Sequence, residues 1–256
     1  MKKGEKKLNL SFGGDSAYYL SVISILKAIE ELKLDIDEIH CTGFSCIPIF
    51  YSEYFKSSDK AYPRIKEIYK DVVKTFKFLG GFIHMDVVNQ MFMLYKMQRG
   101  MNGITPQRHL INFVNRNFPK FELERLPRVK IHAFNLENFS DEVLSGNVQE
   151  AMCATLCFPV QFSPYKNYIS GVWVYGVPKG DIIITMKSED QYKPKNAIDY
   201  MILSTLGRTK EIIKIRSQSA KFTFEFEVES FDPSRNSLKI YEVAMERFSE
   251  IIKTKN

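Results

Sequence analysis

Hydrophobic and polar positions follow two regular patterns near the start of the chain. Leu8–Phe12 alternates in the manner of a β-strand, and a tight turn at Gly13 and Gly14 follows it. Residues 17–32 then repeat apolar positions at helical spacing, and a second apolar strand begins at Ile36. The apolar face of the helix comprises Leu20, Ile23, Leu26, Ile29 and Leu32. Strand, helix and strand in this order predict a parallel βαβ unit.

The rest of the chain continues to alternate between helix-like and strand-like segments. Helical spacing predicts helices at residues 61–80, 87–101, 106–115, 148–157, 197–210 and 238–253. Alternating apolar positions predict strands at residues 129–136, 168–174, 181–185 and 221–229. This succession predicts a single α/β domain over residues 1–256, with a mostly parallel central sheet and helices on both faces.

A sharp turn joins the strand at residues 36–41 to the helix after it. Its sequence is Thr42-Gly43-Phe44-Ser45, and we call these four residues the elbow turn. A strand that passes through such a turn into a helix is the setting of a nucleophile elbow. The turn holds one side chain clear of the backbone and directs the first free N–H groups of the helix to the same point. The G-x-S-x-G pattern of that motif is not intact here.

Length and charge narrow the function classes. The chain has 256 residues, 45% of them hydrophobic, which suits one substantial core. It contains no apolar run long enough to cross a bilayer, and its basic N-terminus enters a short strand instead of a signal-peptide apolar region. We therefore expect a cytoplasmic protein. The net charge of +6 is spread along the chain, which argues against nucleic-acid binding and allows peripheral contact with anionic lipid headgroups.

Cysteine spacing and glycine spacing argue against cofactors. The four cysteines are Cys41, Cys46, Cys153 and Cys157. They are too few for a disulfide scaffold and match no zinc ribbon or finger, so we expect buried free thiols and no metal. The turn at Gly13 lacks both the G-x-G-x-x-G and the G-x-x-x-x-G-K-[ST] pattern, so we expect no nucleotide cofactor.

Three separated segments carry motifs in a definite order. The first is LSFGGDSAYYLSVISILKAIEEL, the second is IDEIHCTGFSCIP, and the third is EAMCATLCFPVQFSPYKNYISGVWVYGVP. In order and spacing they resemble the patatin-like phospholipase family, especially its small bacterial members, over nearly the whole chain. The resemblance implies a three-layer patatin-like sandwich with a helical cap-like insertion around residues 57–118.

The same resemblance puts unusual residues at the catalytic positions. Members of the family hydrolyse lipid acyl esters with a Ser–Asp dyad and hold the oxyanion with a glycine-rich loop. Aligned without gaps, the serine position falls on Gly43 and the aspartate position on Ser170. The oxyanion loop, called the glycine loop below, corresponds to Gly13, Gly14, Asp15 and Ser16. A carboxylate at Asp15 that points inward would repel a developing oxyanion.

A second alignment makes Ser45 the nucleophile. It needs two inserted residues before the elbow turn, and it places Pro48 within the first helical turn, where proline is tolerated. The general base is missing here too, since Ser170 cannot take a proton at neutral pH; such a loss costs on the order of 10²–10⁴ in rate. His40 precedes the elbow turn in a strand, and both it and His132 are expected to be structural. The sequence leaves both alignments open.

The main functional expectation is a protein that has lost the dyad. It would bind a lipid or acyl ligand, or act as a regulatory protein, without turnover. The expected pocket at the elbow turn is lined by Phe44, Cys46, Ile47, Cys153, Cys157 and Phe158. Met93, Met97 and Met101 form a stripe at helical spacing, which is either an ordinary packed helix face, the interpretation we favour, or a cover over this pocket. Because Asp15 disfavours an anionic head, we expect a neutral ester or a zwitterionic lipid. The alternatives are a weak serine esterase that uses Ser45 and a structural or regulatory homodimer without a small ligand.

Overall fold

The strands form one mixed, mostly parallel sheet in a computed structural model that describes residues 7–76, 95, 103–188 and 197–255. They are β1 Leu8–Phe12, β2 Ile36–Cys41, β3 Val129–Asn135, β4 Ser140–Val143, β5 Tyr168–Ile169, β6 Ile182–Ser188 and β7 Phe222–Val228. The order across the sheet is β4-β3-β2-β1-β6-β7, with β5 beside β3. The pairs β3–β2, β2–β1, β1–β6 and β6–β7 are parallel. The strands β4 and β5 run antiparallel to β3.

Helices connect these strands, so the chain is an α/β protein. The described α-helices are α1 Val22–Glu31, α2 Cys46–Phe55, α3 Ser58–Thr75, α4 Gln107–Asn117, α5 Val148–Thr155, α6 Ala197–Ser219 and α7 Pro233–Lys255. Short 3₁₀ helices lie at Ala17–Ser21, Gly43–Ser45, Leu123–Arg125 and Gly171–Trp173. None of the helices in the described ranges is both long and apolar enough to span a bilayer.

β1 lies at the centre of the sheet and is buried on both sides. Leu10 and Phe12 have no exposed surface, and neither has Ser11, whose side chain points to the opposite face. Ser11 is tolerated there because its hydroxyl donates to the carbonyl oxygen of Pro178 at 2.7 Å. The predicted parallel pairing of β1 with β2 is confirmed. The carboxyl ends of both strands therefore meet at one edge of the sheet, where the two predicted loops begin.

The helix after β1 buries the face that its apolar spacing predicts. Leu20, Ile23, Leu26 and Ile29 are all buried, and α1 packs against α3 and α7. The first turn of the predicted helix is a 3₁₀ helix, Ala17–Ser21, and the α-helix begins at Val22. The glycine loop is thus followed at once by helical backbone, which fixes its position over the sheet.

Two parts of the sequence prediction need correction. The strand expected at residues 168–174 is wrong beyond Ile169, because the chain turns there into the 3₁₀ helix Gly171–Trp173. The strand β4 was not expected, since its residues have no apolar alternation. Of the cap-like insertion around residues 57–118, α3 and α4 are described. Of the helix expected at residues 87–101, only Tyr95 is described, and it is helical. Met93, Met97 and Met101 lie outside the described residues.

Candidate functional site

The elbow turn has the backbone shape of a nucleophile elbow. Thr42 is extended at the end of β2, and Gly43 then takes a left-handed conformation with φ +67°. The chain passes through the 3₁₀ helix Gly43–Ser45 directly into α2. Left-handed backbone favours glycine, because other L-residues bring Cβ too close to the following carbonyl oxygen. The point of the turn is therefore occupied by the one residue type without a side chain.

The glycine loop packs directly onto the elbow turn. Gly14 accepts a hydrogen bond from the Phe44 N–H, with an N–O distance of 2.9 Å. A Cβ added at Gly43 would lie 3.0 Å from the Gly14 carbonyl carbon and still closer to its oxygen. A Cβ added at Gly14 would meet the Thr42 carbonyl oxygen and the Phe44 nitrogen at distances under 3 Å. The predicted convergence of the two loops is confirmed, and the Gly14 carbonyl fills the space in front of Gly43.

Backbone donors of the elbow turn already have partners. The Gly43 N–H donates to Thr155 Oγ1 at 2.8 Å, and the Phe44 N–H donates to Gly14 as described above. The Thr155 hydroxyl in turn donates to the carbonyl oxygen of His132 at 2.8 Å. An oxyanion hole requires N–H groups that are free to meet a developing negative charge. The Gly43 and Phe44 N–H groups are instead already hydrogen-bonded to Thr155 and Gly14.

Ser45 is enclosed at the beginning of α2. It has no exposed surface, and its backbone is helical, with φ −63° and ψ −24°. Its hydroxyl donates back to the carbonyl oxygen of Thr42 at 3.1 Å. Pro48 follows within the first turn of α2 and is buried. The Ser45 hydroxyl thus points toward its own turn, and the left-handed position belongs to Gly43.

Ser170 is also fully buried, close to the elbow turn. Its N–H donates to the carbonyl oxygen of Cys157 at 2.9 Å, whereas its Oγ has no hydrogen-bond partner among the described residues. The segment after it reaches Gly43, because Val172 Cγ1 would lie 3.1 Å from a Cβ added there. The glycine loop, the elbow turn and the segment after Ser170 therefore meet at one end of the sheet.

Asp15 is the charged member of the glycine loop, and Ser16 is its buried neighbour. Asp15 keeps an exposed side chain, yet the surrounding protein desolvates its carboxylate and raises its pKa to about 6, an effect that Lys210 partly opposes. Asp15 is therefore mainly ionised at neutral pH. Gly13 packs against the hydroxyl of Tyr19, 2.9 Å from the position that its Cβ would occupy.

The residues expected to line a pocket are packed against one another. Phe44, Cys46, Ile47, Cys153, Cys157 and Phe158 are all buried, and Phe158, at 6%, keeps the most exposed surface. The Phe44 ring stacks on Phe158 and meets the edge of Phe76, with ring centroids 4.9 Å apart in both pairs. Burial raises the pKa of Cys153 and of Cys157 to about 12, so neither thiol is a nucleophile at neutral pH.

A chain of titratable side chains lies beside the elbow turn, although the sequence pattern predicts two separate structural histidines. His40 Nδ1 and His132 Nε2 are 2.9 Å apart, and each ring also contacts one carboxylate, that of Glu38 or Asp141. One of these contacts has a local sequence signal, because Glu38 and His40 lie two residues apart in a strand and therefore point to the same side. The partner of His40 is 92 residues away, and no local pattern identifies it.

Neither metal binding nor family membership is shown for the chain. Among the residues that the structure describes, no group of three or more His, Cys, Asp or Glu side chains is arranged to hold a metal ion. The chain matches no family model and no curated protein. Its function is therefore inferred from the motifs of the sequence and from the geometry at the elbow turn.

Proposed function

We propose that this chain is a patatin-like domain, with the three-layer architecture of that family, that has lost hydrolysis and acts by binding an acyl-chain ligand. The family assignment is supported by the order of the motifs along the chain. It is also supported by the meeting of the glycine loop, the elbow turn and the segment after Ser170 at one end of a mostly parallel sheet. Ligand sites of parallel α/β sheets lie at the carboxyl ends of the strands.

The observation that carries the loss of hydrolysis is the packing at Gly43. Its left-handed backbone marks the position that a nucleophile would take, and the Gly14 carbonyl oxygen occupies the space of the missing side chain. The buried hydroxyl of Ser45 is turned toward Thr42 and is not offered to a substrate. Nucleophile and base are then both missing, which leaves binding as the remaining contribution to function.

An acyl chain is the ligand class that suits the apolar side of the elbow turn. Phe44, Phe76 and Phe158 form a cluster of aromatic rings there. Each buried methylene contributes about 0.8 kcal/mol, so a chain that buries eight gains roughly 6 kcal/mol before the cost of immobilisation. Because the rings already pack on one another, the chain must displace one of them, and Phe158 keeps the most exposed surface. The carboxylate of Asp15, mainly ionised at neutral pH, favours a neutral or zwitterionic head over an anionic one.

Native mass spectrometry and calorimetric titration test this proposal. The purified protein is examined for bound lipid and then titrated with a medium-chain fatty acid and with its neutral ester. Hydrolysis of the ester is followed in the same samples. We expect the ester to bind more tightly than the acid, without turnover. Phe158→Leu should strengthen binding, because a smaller side chain is displaced more easily, whereas Phe248→Leu, at a buried ring packed on Phe224, serves as the matched control and should leave the affinity unchanged.

Two results would overturn the two parts of the proposal separately. If no lipid co-purifies and neither titrant binds below millimolar concentration, the acyl ligand is wrong, and a protein partner or a homodimer becomes the better explanation. If the ester is hydrolysed and Ser45→Ala abolishes the turnover, the protein is a serine esterase.

A further inference from the structure

Four side chains from three adjacent strands form a continuous line of contacts behind the elbow turn. Glu38 Oε2 and His40 Nε2 are 3.2 Å apart, both in β2. His40 Nδ1 and His132 Nε2 of β3 are 2.9 Å apart, and His132 Nδ1 and Asp141 Oδ1 of β4 are also 2.9 Å apart. All three distances are within hydrogen-bonding range. The order along the line is therefore carboxylate, imidazole, imidazole, carboxylate.

The number of protons in this line follows from its geometry. Each of the three contacts needs one hydrogen between its two heavy atoms, and ionised carboxylates supply none. Two neutral imidazoles carry one N–H each, which makes two hydrogens for three contacts. The complete line therefore requires one imidazolium. Without that extra proton, one of the three contacts brings two lone pairs together.

We propose that His40 and His132 bind a single proton as one unit, and that loss of this proton opens the contact between Glu38 and His40. This is the longest of the three contacts, and the Glu38 side chain keeps 35% of its surface exposed. Glu38 also has another partner, since its second carboxylate oxygen lies 3.2 Å from Lys130 Nζ. The remaining two hydrogens then complete the bonds from His40 to His132 and from His132 to Asp141.

The charges around the pair favour one proton and oppose a second. Burial lowers the pKa of His40, and the neighbouring His132 lowers it further, against the effect of Glu38. Burial alone would raise the pKa of Asp141, but the hydrogen bond to His132 and the charge of that ring, together with the neighbouring Tyr175 and Arg216, outweigh burial and lower it. Asp141 therefore stays ionised, as the proton count requires.

Cationic groups face the line from two elements. Lys130 of β3 lies beside Glu38. Arg216 of α6 lies 4.4 Å from the centre of the Tyr175 ring, on the side of Asp141. Both are like charges to an imidazolium and limit the pair to one proton. Tyr175 stays neutral, because burial raises its pKa well above the ordinary value.

The inner half of the line is anchored to the elbow turn. The carbonyl oxygen of His132 accepts hydrogen bonds from Thr42 Oγ1 at 3.2 Å and from Thr155 Oγ1 at 2.8 Å. Because the contact that opens is the outer one, at Glu38, loss of the proton should leave these bonds in place. Loss of the proton thus changes the outer contact, between Glu38 and His40, while the elbow turn keeps its shape.

Histidine-ring ¹⁵N NMR across a pH titration tests the proposal on the unmodified protein. We expect the ring signals of His40 and His132 to move together in one step that accounts for one proton in total, while the Gly43 amide signal stays constant. Two independent steps of one proton each, or two rings that remain neutral from pH ~5 to ~8, would show that the pair is not a unit.

A substitution at Glu38 provides the matched comparison. Glu38→Gln removes the outer charge, and its amide N–H can donate to His40 Nε2, so two neutral rings then complete the line. We expect the step to move to lower pH by about one unit, in line with the effect of a charge at this distance. Asp37→Asn removes the same charge from the adjacent residue, whose side chain is exposed on the other side of β2, and should change the step little. An equal shift in both variants would overturn the proposal.

Discussion

Replacement of Gly43 by serine restores a hydroxyl at the point of the elbow turn, and we expect it to destabilise the protein without restoring hydrolysis. The new Cβ would lie 3.1 Å from Val172 Cγ1, 3.0 Å from the Gly14 carbonyl carbon and closer to the Gly14 oxygen. Atoms at such distances must move apart. The glycine loop would therefore have to withdraw from the elbow turn.

The cost of Gly43→Ser has two parts. The left-handed backbone at φ +67° costs a non-glycine residue about 1–2 kcal/mol. Withdrawal of the Gly14 carbonyl breaks its bond to the Phe44 N–H, and a buried donor without a partner costs about 1–3 kcal/mol. A total near 3 kcal/mol lowers Tm by roughly 6–12 °C in a domain of this size.

Differential scanning fluorimetry and an ester-hydrolysis assay measure the two effects. Gly207→Ser is the matched control, because Gly207 is exposed in α6 and a Cβ there meets nothing within 4 Å. This control should change Tm by no more than about 2 °C, in the direction of greater stability, since serine is the better helix former. The close packing at Gly43 is refuted if Gly43→Ser melts within about 2 °C of the unmodified protein, or if it gains hydrolytic activity.

The remaining predictions concern the loop, the turn and the aromatic cluster. Because the folded-state pKa of Asp15, about 6, exceeds its ordinary value of 3.8, the folded state holds more proton between these values; stability falls as pH rises through this window. Asp15→Asn should therefore raise Tm at pH ~7 and leave it unchanged near pH ~3. Thr155→Val deprives the Gly43 N–H of its acceptor and should cost about 1–3 kcal/mol in urea unfolding, whereas Thr155→Ser should cost less. Phe76→Ala should cost about 3–5 kcal/mol, and Phe139→Ala, at a ring that is 76% exposed, less than about 0.5 kcal/mol.

Three results would contradict these expectations. An Asp15→Asn variant with the same pH dependence as the unmodified protein would mean that this carboxylate is not desolvated. Equal unfolding midpoints for Thr155→Val and Thr155→Ser would mean that the hydroxyl does not hold the elbow turn. Equal losses for Phe76→Ala and Phe139→Ala would mean that the aromatic cluster is not tightly packed.

The sequence predicted the centre of the fold well, because burial imposes simple periods there. β1 is found at Leu8–Phe12 as predicted, because its apolar residues Leu8, Leu10 and Phe12 stand at alternate positions and are all buried. The prediction failed at residues 168–174, where apolar residues fill a 3₁₀ turn instead of a strand. It also missed β4, whose burial alternates although its residues Ser-Asp-Glu-Val are mostly polar. Periodicity reports which positions are buried, and an edge strand buries too little to show it.

The candidate site was predictable in its location and not in its contacts. Two parallel strands that each end in a turn are enough to predict that the glycine loop and the elbow turn lie side by side. That Gly14 would fill the space at Gly43 depends on a tertiary hydrogen bond between residues 30 positions apart, which no spacing rule contains. The pairing of His40 with His132 depends likewise on the register of neighbouring strands.

Labelling with an active-serine phosphonate probe tests the central claim most directly. The unmodified protein is incubated with the probe beside a serine hydrolase that reacts fully, and intact masses of both are measured. The closed elbow turn predicts that the mass of this protein stays unchanged, because Gly43 offers no hydroxyl and that of Ser45 is buried against Thr42. One stoichiometric adduct that maps to Ser45, and that disappears in Ser45→Ala, would contradict the account.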